Sequence, residues 1–369
     1  MRAVLILIAV AACSKGGAAP AQQGSAAPHP DASVASMDGP QLFATFCAQC
    51  HGTDAKGYKS DHAPSLVTTT FLATADDKYL THSIEQGRPG TAMAAYGKAV
   101  GGPLDDQAIQ KIVAWVRQQG GNPKSIDVPP PPTGDATRGA AIYAANCQKC
   151  HGTDAQRGDY VMLANQKFLA LATDPFIYYA VVNGRPATPM VAFDKTLSLQ
   201  AIADSVAFVR SLQKGATTSQ IVPLPMPTGK EPLFVNPSGA APVWKTIKED
   251  KYVPADEVKA ALDAKKKMVI IDARPESEWM TVHITGAVSI PHYKLDRLKE
   301  IPKDATIIAY CACPHHLSGI VVDELIARGY KHAYVLDEGI LEWQRRDYPI
   351  VAAQGVTKPP AEPAGPALR

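Results

Sequence analysis

The strongest constraint on this chain is a stretch that occurs twice. Cys47-Ala48-Gln49-Cys50-His51-Gly52-Thr53-Asp54-Ala55 returns as Cys147-Gln148-Lys149-Cys150-His151-Gly152-Thr153-Asp154-Ala155. Cys-x-x-Cys-His is the spacing that covalent haem attachment requires. Two thiols one helical turn apart can each add to a vinyl group on one porphyrin edge, and the adjacent imidazole becomes an axial ligand. A bare Cys-x-x-Cys also suits a redox disulfide or half a zinc site. The attached histidine argues against the first, and the lack of a second Cys or His pair nearby argues against the second. Recurrence of the motif with its flanks favours haem. The expectation is two covalently bound haem c groups, on Cys47, Cys50, Cys147 and Cys150, with His51 and His151 as iron ligands.

The remaining three of the seven cysteines need separate explanations. Met1-Arg2 followed by the apolar run Ala3 to Ala12 is too short to span a bilayer and reads as a secretory signal over residues 1–12. Val10-Ala11-Ala12-Cys13 resembles the lipobox of bacterial lipoproteins, which implies cleavage before Cys13, lipidation of that residue and a membrane anchor. An ordinary signal peptide with an incidental cysteine is the alternative. Either way the mature chain is expected outside the cytoplasm; the lipobox reading places it in the periplasm as an anchored lipoprotein. Residues 13–37, rich in Ala, Gly, Ser and Pro, should form a disordered tether. Net charge is +2 with no long basic tract, so nucleic acid is not an expected partner.

The two copies are placed at residues 38–120 and 134–214, separated by a linker over 121–133 that contains Pro129 to Pro132. Each should open with a helical pattern and close with an amphipathic helix. Ile109, Ile112, Val113 and Val116 fall at helical spacing in the first closing helix, as do Ile202, Val206 and Val209 in the second. Gly87-Arg88-Pro89-Gly90-Thr91-Ala92-Met93 and Gly184-Arg185-Pro186-Ala187-Thr188-Pro189-Met190 put a methionine at the same offset in both copies. Thioether ligation opposite the histidine is therefore expected at Met93 and Met190. His62, His82 and Met162 are rivals without a counterpart in the other copy.

Together these motifs resemble class I c-type cytochromes of the small bacterial kind. The resemblance implies an all-α fold around one haem per domain, and electron transfer rather than catalysis at iron. It further implies that the Pro64 carbonyl accepts a hydrogen bond from His51; the second copy has Ala164 at that place. Arg88 and Arg185 are candidates for haem propionates.

Residues 215–242 carry many prolines and read as a second linker. Beyond them strands at 268–271, 306–310 and 333–336 alternate with helical stretches around Val258 to Leu262 and over 319–328, a pattern that predicts a parallel sheet. Asp272-Ala273-Arg274, His283-Ile284-Thr285-Gly286-Ala287, Tyr310-Cys311 and Glu338-Gly339-Ile340-Leu341-Glu342-Trp343 resemble motifs of the rhodanese domain over residues 243–350. The expected whole is multidomain, two all-α cytochrome c domains followed by an α/β rhodanese-like domain, with a disordered tail at 351–369.

The rhodanese resemblance implies a thiolate at a strand tip that takes sulfane sulfur from a donor and passes it on. Cys311 matches the catalytic position; Cys313 is a second thiol able to resolve a persulfide or act as the nucleophile. The loop lacks the family's arginine, and Pro314 removes an N–H. Cys311, Cys313, His315 and His316 also make a possible soft-metal cluster, and a catalytically silent docking module is the third reading. His283 is expected to be a structural hydrogen-bonder. The combined expectation is electron transfer coupled to a sulfurtransferase domain. Its expected partners are a respiratory redox protein and either a small sulfur compound or a sulfur-carrier thiol.

Overall fold

The computed structural model describes residues 33–58, 62–215, 221–312 and 315–362. The signal segment, Cys13, Cys313 and Pro314 lie outside the described residues.

Each copy of the repeat folds into five helices in the same order. They are α1 Gly39–Phe46, α2 Ala48–His51, α3 Thr69–Leu72, α4 Asp77–Gln86 and α5 Asp106–Gln119, then α6 Ala136–Asn146, α7 Gln148–His151, α8 Gln166–Leu171, α9 Asp174–Asn183 and α10 Leu199–Ser211. Short polar side chains start most of them. Asp38 and Gln41 form a reciprocal capping box on α1, and Asp76, Asp105, Asp135, Thr173 and Ser198 accept from the first turns of α4, α5, α6, α9 and α10. Each such cap contributes about 1 kcal/mol. Burial contributes more: α1 hides Leu42, Phe43 and Phe46 against Ile109, Ile112, Val113 and Val116 of α5, at roughly 1.5–3 kcal/mol per fully buried side chain.

First and last helices of each copy cross closely because a glycine lies at the contact. A Cβ on Gly39 would sit 2.6 Å from the Lys111 carbonyl, and one on Gly139 would sit 2.0 Å from that of Asp204. Both distances are forbidden, so α1 and α6 approach their partners backbone to backbone. A matched arginine then ties each closing helix to the loop before α4 or α9. Arg117 reaches the carbonyls of Leu72 (2.8 Å) and Ala75 (2.6 Å) and the Asp77 carboxylate; Arg210 does the same with Leu169 (2.6 Å), Ala172 and Asp174.

The copies share one apolar core rather than sitting apart. Phe176 of α9 stands 5.0 Å from the Tyr79 ring of α4, and the Thr70 hydroxyl donates to the Gly184 carbonyl at 3.1 Å.

The third domain contains β1 Tyr252–Val253, α11 Ala255–Asp263, β2 Val269–Asp272, α12 Glu276–Trp279, β3 Val282–Ile284, β4 Val288–Ser289, β5 Ile307–Tyr310, α13 Leu317–Ala327, β6 Ala333–Leu336, α14 Gly339–Arg345 and β7 Ile350–Ala352. Five strands form a parallel sheet in the order β1-β6-β5-β2-β4, so β5 is central, and β3 pairs antiparallel with β7. Every residue of β2 and β5 is buried, as a sheet covered on both faces requires. Glu338, just before α14, has a structural use: its carboxylate accepts from the Ala255 amide at 2.8 Å, at the start of α11.

Three boundaries change. Residues 351–362 are not a loose tail: β7 closes on β3, and Ala361 exchanges backbone hydrogen bonds with Ala155 and Arg157 of the second copy. The linker residues Val222, Leu224 and Val235 hydrogen-bond to Gln354, Met280 and Met268, so this stretch packs on the third domain. Met37, placed in the tether, is 3% exposed and belongs to the core of the first copy.

The α6–α10 contact holds one ionic device. Asp204 is buried, accepts from Arg138 Nε at 2.8 Å and from the Asp135 amide at 2.8 Å, and is held well below the usual carboxylate range by those two donors. A depressed folded pKa stabilises above the ordinary aspartate value of about 4 and is lost as pH falls toward the folded value. Asp204→Asn should lower the thermal midpoint of the second copy at neutral pH. The gap to wild type should close as pH is taken below that value, which thermal melts across a pH series would measure.

Candidate functional site

Each Cys-x-x-Cys-His motif is a single helical turn set against the end of a longer helix. Cys47 ends α1 through its amide on the Phe43 carbonyl (2.9 Å) and starts α2 through its carbonyl, which accepts from the His51 amide at 3.0 Å. The second copy repeats both bonds, Cys147 to Tyr143 at 2.8 Å and His151 to Cys147 at 2.9 Å. Gly52 and Gly152 then turn the chain away with φ of 76° and 71°. The result places both thiols and the imidazole of each motif on the wall of one cavity.

The histidines are oriented from behind. His51 Nδ1–H donates to the Pro64 carbonyl at 2.9 Å, and His151 Nδ1–H to the Val161 carbonyl at 2.7 Å. In both rings this leaves Nε2 bare. Burial lowers both imidazole pKa values, against the opposing effect of the carbonyl bond, so the neutral ligating form prevails. Burial, with a neighbouring thiol as a smaller cause, pushes Cys47 up to about 12 and Cys147 up to about 11. The Pro64 expectation matches this geometry. Val161 was not foreseen, because a backbone carbonyl at a shifted position leaves no residue-type signature.

The methionine loops are built alike. In the first, the Arg88 amide donates to the Met93 carbonyl at 2.7 Å, and the Thr91 hydroxyl donates to the Arg88 carbonyl at 2.7 Å while accepting from the Met93 amide at 3.2 Å. In the second, Arg185, Met190 and Thr188 make the same bonds at 2.8, 2.7 and 3.2 Å. The repeated threonine was the overlooked signal, since it sits at one offset in both Gly-Arg-Pro motifs.

Met93 and Met190 line the same cavity as the two histidines, and so does Met162. His62 lines it too, but its Nδ1 donates to the Asp159 carbonyl at 2.7 Å and its ring stacks on Tyr160, whereas His82 donates to the Lys78 carbonyl on an exposed helix face. Arg88 is spent on Gly87 O and Ser83 Oγ. Arg185 differs: its guanidinium lies over the Phe71 and Phe176 rings, and its buried Nη1 has no protein partner among the described residues. A largely apolar cavity with paired thiols, bare imidazole Nε2 atoms and an orphaned cationic N–H fits a haem with its carboxylates.

The third domain brings its own site to the carboxyl edge of the sheet. Cys311 follows the central strand β5, is 1% exposed, and has Sγ 3.3 Å from Ser318 Oγ in the first turn of α13. Beside it Asp272 and Arg274 form a buried two-point pair at 2.9 and 2.7 Å, and the Tyr310 hydroxyl donates to Asp272 at 2.9 Å. His315 Nε2 meets the Asp337 carboxylate at 2.8 Å, and its ring stacks on Tyr252 at 3.8 Å. His283 donates to the Trp279 carbonyl and stacks on that indole at 3.6 Å, the structural role expected for it. Among the described residues no cluster of three or more His, Cys, Asp or Glu side chains is arranged to hold a metal ion.

Two family profiles match the chain. Cytochrome C oxidase, cbb3-type, subunit III covers residues 34–116 and 134–209, and Rhodanese-like domain covers residues 254–346. The chain thus carries cbb3-type cytochrome c domains followed by a C-terminal rhodanese-like α/β domain. It is 30% identical over 192 residues to the cbb3-type cytochrome c oxidase subunit FixP of Bradyrhizobium sp. (strain ORS 278), across 49% of this chain and 62% of that one. It is 28% identical over 193 residues to the cytochrome bc1 complex cytochrome c subunit of Mycobacterium leprae (strain TN), across 49% of this chain and 63% of that one. The chain therefore spans under two thirds of the length of these relatives. Among solved structures, thiosulfate sulfurtransferase from Pseudomonas aeruginosa is similar at 28% identity and a TM-score of 0.26, over 28% of this chain and 20% of that one.

Proposed function

We propose that the protein is an extracytoplasmic dihaem electron carrier whose third domain handles sulfane sulfur on Cys311. The observation that carries the reading is a shared wall: Cys311, at the tip of the central strand, lines the same cavity as Cys47, Cys50, His51 and Met93. The relatives named for cbb3 oxidase and bc1 complexes support a protein of a respiratory chain as redox partner.

In this reading the haems are bound through Cys47 and Cys50 and through Cys147 and Cys150. His51 with Met93 and His151 with Met190 are the iron ligands. When bound, each haem supplies the uptake and release of single electrons. The chain's own work is to fix the imidazole planes through Pro64 O and Val161 O, to exclude water with an apolar wall, and to hold each methionine in a threonine-braced loop. Lipid on Cys13 would anchor the assembly. Among the described residues no helix is long and apolar enough to cross a membrane.

For sulfur, the Cys311 thiolate attacks the outer sulfur of thiosulfate. A Cys311 S–S bond forms as the donor's S–S bond breaks, and sulfite leaves with that electron pair. A small nucleophile then removes the outer sulfur and restores the thiolate. Ser318 Oγ is placed to donate to the negative sulfur, and Cys313 is proposed to influence how the persulfide decays.

Two experiments test the two halves. Met93→Ala and Met190→Ala should each remove one methionine-to-iron absorption band from the oxidised protein; an unchanged spectrum refutes that ligand. Mass spectrometry after thiosulfate treatment should find one added sulfur on Cys311, abolished by Cys311→Ser and retained in Cys313→Ser. Sulfur on Cys313 alone would exchange their roles, and none from any donor would leave a docking or metal-binding module.

A further inference from the structure

Within each methionine loop the Arg–Met and Thr–Arg bonds close the chain on itself and fix the loop's shape. Each loop is also tied from outside, by the opposite copy. Asn165 starts α8 of the second copy, and its Oδ1 accepts from the amides of Lys167 and Phe168 at 3.1 and 3.2 Å. That cap settles which end of the side-chain amide is oxygen. Nδ2 is left to cross the boundary, where it donates to the Pro89 carbonyl of the first loop at 3.0 Å. Asn165 is only 7% exposed, so water does not compete freely for that bond. Two residues on, Lys167 Nζ reaches Gln86 Oε1 at 3.2 Å, at the end of α4 just before the same loop.

The return tie starts from the matching helix of the first copy. In the first turn of α3, the Thr70 hydroxyl donates at 3.1 Å to the carbonyl of Gly184, where the second loop begins. Its neighbour Phe71 lies under the Arg185 guanidinium of that loop at 5.7 Å. Leu72 and Leu169 bury α3 and α8 in the core at 1% exposure each, so both donors ride on fixed elements. Neither bond involves the third domain. That domain is seated on the first copy through Ala95, through Thr45 and through the contact of Tyr293 with the Phe46 ring at 5.1 Å.

We propose that the methionine ligands are positioned crosswise. Asn165 of the second copy holds the Met93 loop, and Thr70 of the first copy holds the Met190 loop. Each thioether's grip on its iron then depends on a residue of the other copy, and the fused core makes the two ligand sites one coupled unit. The inference rests on the ligation by Met93 and Met190 proposed above. Asn165 and Thr70 are positioning residues, acting on the iron only through the loops they hold.

The test uses the full-length holoprotein. An outside imidazole can take the sixth position only while the methionine is off, so its apparent affinity measures how often a loop opens. In a Met190→Ala background the remaining methionine-to-iron band reports Met93 alone, and in a Met93→Ala background it reports Met190 alone. Asn165→Asp keeps an oxygen to cap α8 but has no N–H for Pro89. It should lower the imidazole concentration that bleaches the Met93 band about fivefold, the loss of one hydrogen bond. The same substitution should leave the Met190 band, in its own copy, at the parent value. Asn165→Ser, which also caps but is too short to reach Pro89, should act alike. Thr70→Val should do the opposite, weakening the Met190 band about fivefold and sparing Met93, while Thr70→Ser keeps the hydroxyl and the parent value.

A general loosening of the fold would move the band of the substituted copy, so an effect there, or equal effects on both bands, overturns the proposal. So do imidazole affinities unchanged in every variant. A spectrum left intact by Met93→Ala or Met190→Ala alone would remove the ligand itself and the proposal with it, a failure seen before any bracing residue is altered.

Discussion

Ala95 is the point on which the arrangement turns. Both its backbone N–H and its C=O are engaged by α12 of the third domain, two residues after the first methionine loop ends. A main-chain group has no rotamers to lose, so such a clamp orders its partner at small entropic cost. Its effect is to fix the carboxyl edge of the parallel sheet against Phe46 and hence against the first haem motif. Without that seat the third domain would be held to the two fused copies by its linker and by the strap that pairs Ala361 with Ala155 and Arg157.

The seat explains other features that look local. Arg274 and Asp272 are both almost fully buried, and a buried ion pair is weak support for stability because desolvation offsets its attraction. Here the pair also takes in Tyr310, Val282 O and Glu278, and Glu278 is the residue that holds the Ala95 amide. The ionic network at the strand ends thus reads as an orienting device for α12. His292 completes the seat: both ring nitrogens face carbonyls, Ala273 O at 3.3 Å and Thr45 O at 3.2 Å, and burial lowers its pKa to about 4. A neutral ring can donate to one of those carbonyls only.

How much of this was legible in the sequence follows from what the physics writes into residue types. Covalent attachment demands cysteines at fixed spacing, so Cys47, Cys50, Cys147 and Cys150 announce themselves, and duplication doubles the signal for Met93 and Met190. The strands β2, β5 and β6 were visible as apolar runs, with ends off by about a residue, within the ordinary uncertainty of such limits. The two-residue strands β1 and β4 carry no period to detect. Val161 and Ala95 act through backbone atoms, which any residue type supplies. The strap over residues 353–362 is rich in Pro and Ala, a composition that reads as loose chain until its partner surface is known. Thr91 and Thr188 were legible and passed over, since their shared offset was visible in the repeat.

The central claim is that Cys311 and the first haem motif line one cavity. A nitrile on Cys311, made by cyanylation in the Cys13→Ala, Cys313→Ser holoprotein, is small enough to leave the seat intact and reports its local electric field by infrared frequency. The account predicts a dehydrated nitrile whose frequency shifts between the oxidised and reduced protein, because the charge of the neighbouring haem changes. A nitrile with the frequency of a water-exposed thiocyanate, identical in both oxidation states, would contradict it.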